Sequence, residues 1–436
     1  MKILTTILLI LFAVNSQAGN IYIATSGNDG SGNGSIGNPY LTVGKAASVA
    51  SYGDIIRPAN GTYTFAAGVS IPVGVSIEGS DSANVKFVGN YTNTSQSDAL
   101  LMLISTTDGT NGNQHISGIG FDGNNLTCFQ AIIVYGRSNV KVFNVAIRNF
   151  VNSGILFRGT YALGREPTIP ATGNELHHAT IENCADRTTR LVGAGIVATG
   201  YAGLLIHDIV SRQGGRPRLH NGNNFGAAGT NTASGLKIYN SKFYRPPSDS
   251  SSNLGNSLDN SFILELWDSQ GGMEIYNNEF HGGTQAIDLA GNDDKSKGAY
   301  TYGYWIHDNY FNSDSLYANL PIPLLVAIDY EGSGENIIIE RNHFKNYSYG
   351  VMMTLADVSQ KGQRNTTIQN NLFENIGTVN VQFNADIFIN GGGSPANAGK
   401  ITGLNIYNNT HSSLARYGLL IVGLKSSNQI VGFNYI

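Results

Sequence analysis

Apolar and polar residues alternate with a period of two in short runs along most of this chain, as in G-M-E-I-Y-N, G-L-K-I-Y-N and G-L-N-I-Y-N. That period places successive side chains on opposite faces and predicts strands. Many of the runs end in the phrase I-x-N-N-x-F. It reads IYNNEF from Ile275, IHDNYF from Ile306, IERNHF from Ile339 and IQNNLF from Ile368. Looser copies are IYNSKF from Ile238, IYNNTH from Ile406, IHDIVS from Ile206 and IENCAD from Ile181. The leading isoleucines follow one another at intervals of 25 to 38 residues. Helical repeats would keep a fixed length and a 3.6-residue period. A strand and turn repeated at uneven intervals predicts a solenoid with loops of varying length.

With no helix between the β-units, the expected fold is all-β, a single-domain parallel β-helix. An asparagine at a fixed turn position can bond its counterpart in the next coil and so run as a ladder. Asn278, Asn309, Asn342, Asn371 and Asn409 fall in that register, with Ser241 and Cys184 expected in the same position of two earlier copies. The ladder is read as architecture, and Cys184 as buried packing.

Residues 1–18 have the form of a secretion signal, with Lys2, an apolar run from Ile3 to Val14, and Ser16-Gln17-Ala18 as a cleavage site. The run is short for a membrane span, and no later stretch reaches the ~20 apolar residues that one requires. The expected product is exported to the periplasm or beyond, soluble and monomeric. The formal charge of −4 comes without a basic block, which argues against nucleic acid as a partner. Glycine, at 54 residues, suits a turn in every coil, and 2 cysteines make no disulfide framework. Residues 19–90 are expected to form an N-terminal cap with the first coils, including a short amphipathic helix near Val43 to Ala50 that covers the open end. Residues 91–436 are expected to continue the β-helix, with loop insertions that form a groove and no further module appended.

The phrases YIATSGNDGSG, GNPYLTVGKAA and GDIIRPANGTY resemble the start of many pectate-lyase-like right-handed parallel β-helix proteins, and the asparagine coils extend the likeness over nearly all the mature chain. The resemblance implies a right-handed β-helix and a carbohydrate-linked role. That superfamily includes polysaccharide lyases, glycoside hydrolases, epimerases, phage tailspikes and carbohydrate-binding proteins. No catalytic residue is carried over from it.

A second strand lies between successive turn motifs. Its copies include S-G-I-L-F-R from Ser153, A-G-I-V-A-T from Ala194, F-I-L-E-L-W from Phe262, A-I-D-L-A from Ala286, A-I-D-Y-E from Ala327 and M-M-T-L-A from Met352. The apolar pairs Leu264/Leu266, Ile287/Leu289, Ile328/Tyr330 and Met353/Leu355 are expected inside. The residue between each pair then points out, giving a column of Leu156, Val197, Glu265, Asp288, Asp329 and Thr354. Like charges stacked this way repel, so three consecutive acids call for a cation, basic neighbours or a raised pKa. Glu265, Asp288 and Asp329 are therefore the candidate catalytic residues.

Long insertions at residues 211–226, 244–261, 291–304 and 312–323 are expected to wall a groove around the column. Trp267, Trp305 and Tyr302 are candidate platforms for sugar rings. Arg212, Arg216, Arg218, His220, Lys295 and Lys297 could engage acidic groups on a glycan. The histidines show no zinc-ligand spacing, whereas Glu265, Asp288, Asp293 and Asp329 offer oxygens for Ca²⁺.

Three functions fit. A secreted polysaccharide-degrading glycoside hydrolase would use stacked carboxylates and need no cofactor. A lyase or epimerase on uronic-acid glycans would need Ca²⁺. A glycan-binding β-helix would use the same groove without cleaving.

Overall fold

The computed structural model describes residues 18–93, 95, 97–124, 130–161, 167–184, 194–212, 223–227, 233–245, 262–267, 269–291, 301–313, 325–355, 362–377, 383–391, 400–412, 415–424 and 430–436. Among them the strands form a 12-stranded sheet, a 26-stranded sheet and one two-stranded pair, and all named strands pair in parallel. The 12-stranded sheet carries the candidate acids and is called the acid-bearing sheet below; the larger one is the wrapping sheet. Each coil supplies one strand to the first and up to two to the second, so the chain winds as a right-handed parallel β-helix.

The helix Val43–Val49 closes the N-terminal end, burying Val43, Ala46 and Ala47. Thr42 caps it, its side chain accepting from the Lys45 amide. Inward residues of both sheets share one core, in which Leu264, Leu266, Ile287, Leu289, Ile328 and Tyr330 meet Ile275, Ile306 and Ile339. Inside it a file of rings, Phe243, Phe280, Phe311, Phe344 and Phe373, stacks coil on coil at centroid spacings of 4.7–5.3 Å, and the exposed His411 continues it at 5.5 Å. These spacings repeat the ~4.8 Å rise between parallel strands.

Turn chemistry fixes where each coil bends. A residue with positive φ follows the first strand of each motif coil in the wrapping sheet from Lys237 onward: Asn240, Asn277, Asp308, Arg341, Asn370 and Asn408 lie between +52° and +55°. Asn and Asp tolerate this left-handed region better than other residues with a Cβ. The next position holds the ladder. Asn309 Oδ1 accepts from Asn278 N and Nδ2, both at 3.0 Å, while its Nδ2 donates to Ile275 O at 2.8 Å and Asn342 Oδ1 at 3.0 Å. The pattern continues through Asn342, Asn371 and Asn409, and Ser241 joins by donating its amide to Asn278 Oδ1.

Cys184 does not join it. Leu176 pairs with Ile206, and Ile181 with Ser211, so the motif copy preceding Ile206 starts at Leu176 and its ladder position is Ala179. The I-E-N-C string matched the motif letters one strand too late, at the next bend, which follows the left-handed Asn183. Cys184 is fully buried there, and burial pushes its thiol pKa up to about 12.

The ladder's contribution is measurable. Asn309→Ala orphans a buried amide and a buried carbonyl, each worth about 1–3 kcal/mol. Urea unfolding should show a loss of at least ~2 kcal/mol; a loss below ~0.5 kcal/mol, the range of surface substitutions, would show that the ladder is not structural.

Candidate active site

The strands Phe262–Trp267, Gln285–Gly291 and Val326–Gly332 lie side by side in the acid-bearing sheet. Glu265 pairs with Asp288 and Asp288 with Asp329, so the three acids stand in one file on consecutive coils. Below them the file continues through Gly226, Val197 and Leu156. Gly226 is a coil that the spacing of the motifs had passed over. Above Asp329 comes Met352 rather than Thr354. Thr354 pairs with Glu331, because Met353 lies against Tyr330 and shifts the alignment by two residues. Both choices put a residue outside, so alternation alone could not separate them.

That shift brings in a fourth acid. Glu331 follows Asp329 by two residues and shares its outward face. Ligand oxygens of Asp288, Asp329 and Glu331 lie within 4.8 Å of one another. Glu331 was legible in A-I-D-Y-E as the second acid of one strand face. Gln285 completes the group, its Nε2 donating to Asp329 Oδ2. Nothing in the sequence marked Gln285, which lies on the strand of Asp288 and reaches across to Asp329 in the next coil.

The file faces outward yet is not solvated: Asp288 is 1% exposed and Asp329 2%. An outer apolar cluster of Val326, Tyr349, Met352, Ala385 and Phe388 borders the acids on one side, and Ile133, Leu156 and Val197 belong to another on the far side. Glu265 is the more accessible member. A solvated charge row is therefore excluded as an account of these residues.

Burial governs their protonation. Loss of hydration pushes the Asp288 carboxyl well above its ordinary range, and the neighbouring Glu331, Asp329 and Glu265 push the same way. Asp329 rises to about 8, chiefly through burial and then the charge of Glu331, with the Gln285 hydrogen bond opposing. Glu331 is raised by burial and lowered in part by its hydrogen bond from Asp288. Both members of the Asp288–Glu331 pair therefore hold a proton more readily than free carboxyls do.

The donor set also suits a hard cation. Asp288 Oδ1, Asp329 Oδ1 and Gln285 Oε1 are buried without a hydrogen-bond partner. Carboxylate and amide oxygens are Ca²⁺ ligands, at 2.3–2.6 Å.

Other expected site residues fall elsewhere. Tyr302 and Trp305 belong to the strand Thr301–His307 of the wrapping sheet, on the other side of the shared core. The polypeptide turns between sheets after residue 291, so nearness in sequence to Asp288 did not bring them to it. Arg212 also lies in the wrapping sheet, 3.4 Å from Glu182 and over the Tyr244 ring. Trp267 shares the file of Glu331 by backbone register, through Ala290. Its side chain, Asp293, Arg216, Arg218, His220, Lys295, Lys297 and most of the four insertions lie outside the described residues, as do residues 1–17.

Comparison with known proteins agrees with this architecture. The chain belongs to the family described as "Protein of unknown function (DUF1565)", whose model matches residues 25–297. The fold is also that of the A-module of the Azotobacter vinelandii mannuronan C-5 epimerase AlgE6, at TM-score 0.57, 11% identity, and coverage of 90% of this chain and 93% of that one. XylC in complex with xylose matches at TM-score 0.52 and 11% identity, over 90% and 85% of the two chains. The catalytic domain of a GH87 α-1,3-glucanase in complex with tetrasaccharides matches at 0.51 and 15%, over 88% and 64%. No curated protein matches in sequence.

A raised Asp329 pKa has a consequence for stability. The unfolded chain releases this proton near the ordinary 3.8 and the folded protein near 8, so folding takes up a proton between those values. The group's contribution is most favourable below about pH 4 and is lost as pH rises to about 8. Melting temperatures measured from pH 4 to 8 should fall for wild type relative to Asp329→Asn. Parallel curves would place Asp329 in an ordinary, solvated setting.

Proposed function

We propose that this protein is a secreted carbohydrate-active enzyme that cleaves glycosidic bonds at the carboxylate cluster, by hydrolysis. The observation that carries the reading is the convergence of Asp288, Asp329 and Glu331 within 4.8 Å on the outer sheet face, beside Glu265. Hydrolysis needs a protonated carboxyl to assist the leaving oxygen and an ionised one to attack or to activate water. Asp288 carries a proton because its charged form is poorly solvated and ringed by acids. Glu265, one rung away and better exposed, is the second acid of the reaction and the one that substrate reaches first. A Glu265–Asp288 pair at ~5 Å serves retention; Glu265 with Asp329, two rungs and ~10 Å apart, serves inversion. The anomeric configuration of the first product distinguishes them.

A second reading is favoured by the unpartnered oxygens of Asp288, Asp329 and Gln285. Here Asp288, Asp329 and Glu331 hold Ca²⁺, which when bound would neutralise a uronate carboxylate and acidify its α-proton. This chain's residues would then fix the cation at the floor of the face and orient the sugar ring. This reading also needs a base to take the α-proton; Arg212 is committed to Glu182 and Tyr244, which leaves Lys295 and Lys297 as the candidates for that role.

A polysaccharide panel separates the readings. Hydrolysis releases reducing ends without ultraviolet absorbance and survives chelation of Ca²⁺. Elimination produces an absorbing unsaturated product and stops on chelation. Asp288→Asn, Glu331→Gln and Glu265→Gln should each reduce turnover by 10² or more, the range of a lost general acid or base. Full turnover by all three variants would remove the cluster from the chemistry.

A further inference from the structure

We infer that the wrapping sheet carries a second glycan-contact face, formed by Trp305 and Tyr302 on the same coils as the acids but across the core from them. This inference rests on the carbohydrate reading and not on which residues cleave. Between residues 170 and 380, the exposed large apolar side chains among the described residues are Tyr302, Trp305 and Ile338, each 39% exposed. All three sit on strands that directly follow acid-bearing strands: Thr301–His307 after Asp288, and Gly334–Glu340 after Asp329.

Both rings are held before any ligand arrives. The Trp305 indole donates from Nε1 to Glu340 Oε1 at 2.9 Å, and one side of the ring packs on His307 at a centroid distance of 3.9 Å. Glu340 is itself fixed by Gln369 and Arg341. The Tyr302 ring lies on Gly271, where an added Cβ would come within 2.8 Å of it, and Gly271 has φ +95°. A side chain at residue 271 would thus lift the ring off the surface. Arg341 also approaches Trp305, its guanidinium carbon 6.0 Å from the ring centroid, and both rings remain 39% exposed. Their Cα atoms are three residues apart on one strand, no more than ~11 Å, with the left-handed Gly303 between them, so one glycan segment can reach both.

The surroundings point to sugar rather than to a protein partner. Ion pairs rim the rings: Lys237 with Glu274, the residue paired with Trp305, and Arg364 with Glu335, the residue paired with Tyr302. Together they offer donors and acceptors to hydroxyl groups while the rings meet C–H faces. A stable protein interface needs ~800 Å² per partner, far beyond three partly exposed side chains. Immobilised rings suit a flexible polymer, since little further order is lost on binding.

The test measures retention of the full chain on xylan, α-1,3-glucan, alginate and polygalacturonate by affinity electrophoresis. The wild type should be retarded by at least one of the four. Trp305→Ala should weaken that retention about tenfold, and Gly271→Val should weaken it by displacing Tyr302. Trp305→Phe should keep most of it, and Tyr161→Ala, which alters an exposed ring elsewhere, should match wild type. Circular dichroism verifies that each variant is folded. Wild-type migration unaffected by all four polymers, or equal retention of Trp305→Ala and wild type, would overturn the inference. Loss of retention in Trp305→Ala, alongside full turnover by the acid variants, would leave this face standing and remove the catalytic assignment.

Discussion

Stacking of one coil on the next, in parallel and in register, is the constraint on which everything else in this molecule depends. A hydrogen-bonded ladder repeats every ~4.8 Å and carries no memory of the side chains it positions. Register therefore has to be held at the turns. The left-handed Asn and Asp residues bend each coil at the same point, and the asparagine ladder joins those bends by buried bonds. Once the bends are aligned, a residue at a given place in one coil meets its counterpart in the next. Rings then stack on rings in the core, and acids stack on acids outside.

That same regularity makes the acid cluster costly and chemically capable. Parallel stacking brings like charges together with no freedom to rotate away, and the apolar clusters above and below withhold water. The carboxyls answer by keeping protons that free aspartates would release. A solenoid supports this strain because its stability is spread over many coil contacts, and one unfavourable file is offset by its neighbours. The result is a group of acids a few ångströms apart whose hold on protons is strengthened, which suits a general acid and, when deprotonated, a cation site.

Legibility varied with the kind of signal. The helix at residues 43–49, the ladder from Ser241 onward and the inward pairs around each acid could all be read from local patterns. Glu265, Asp288 and Asp329 were aligned correctly because each lies between two apolar residues in a distinct strand. Thr354 failed that test: Met352, Met353 and Leu355 give an apolar run in which two alignments look alike. Cys184 failed similarly, since its string copied the motif's letters at a different bend. Trp305 and Tyr302 were assigned by nearness in sequence to Asp288, and the chain crosses to another sheet between them.

The sequence by itself determined the kind of fold, because period-two strands and turn asparagines act over a few residues and repeat. It also determined which acids could stack, since a repeat read against itself yields a register. Tertiary structure alone decided that the outward file is buried, that Glu331 and Gln285 close around it, and that the exposed aromatics look the other way. Burial and convergence are sums over distant segments, and no local pattern encodes how much water those segments leave behind.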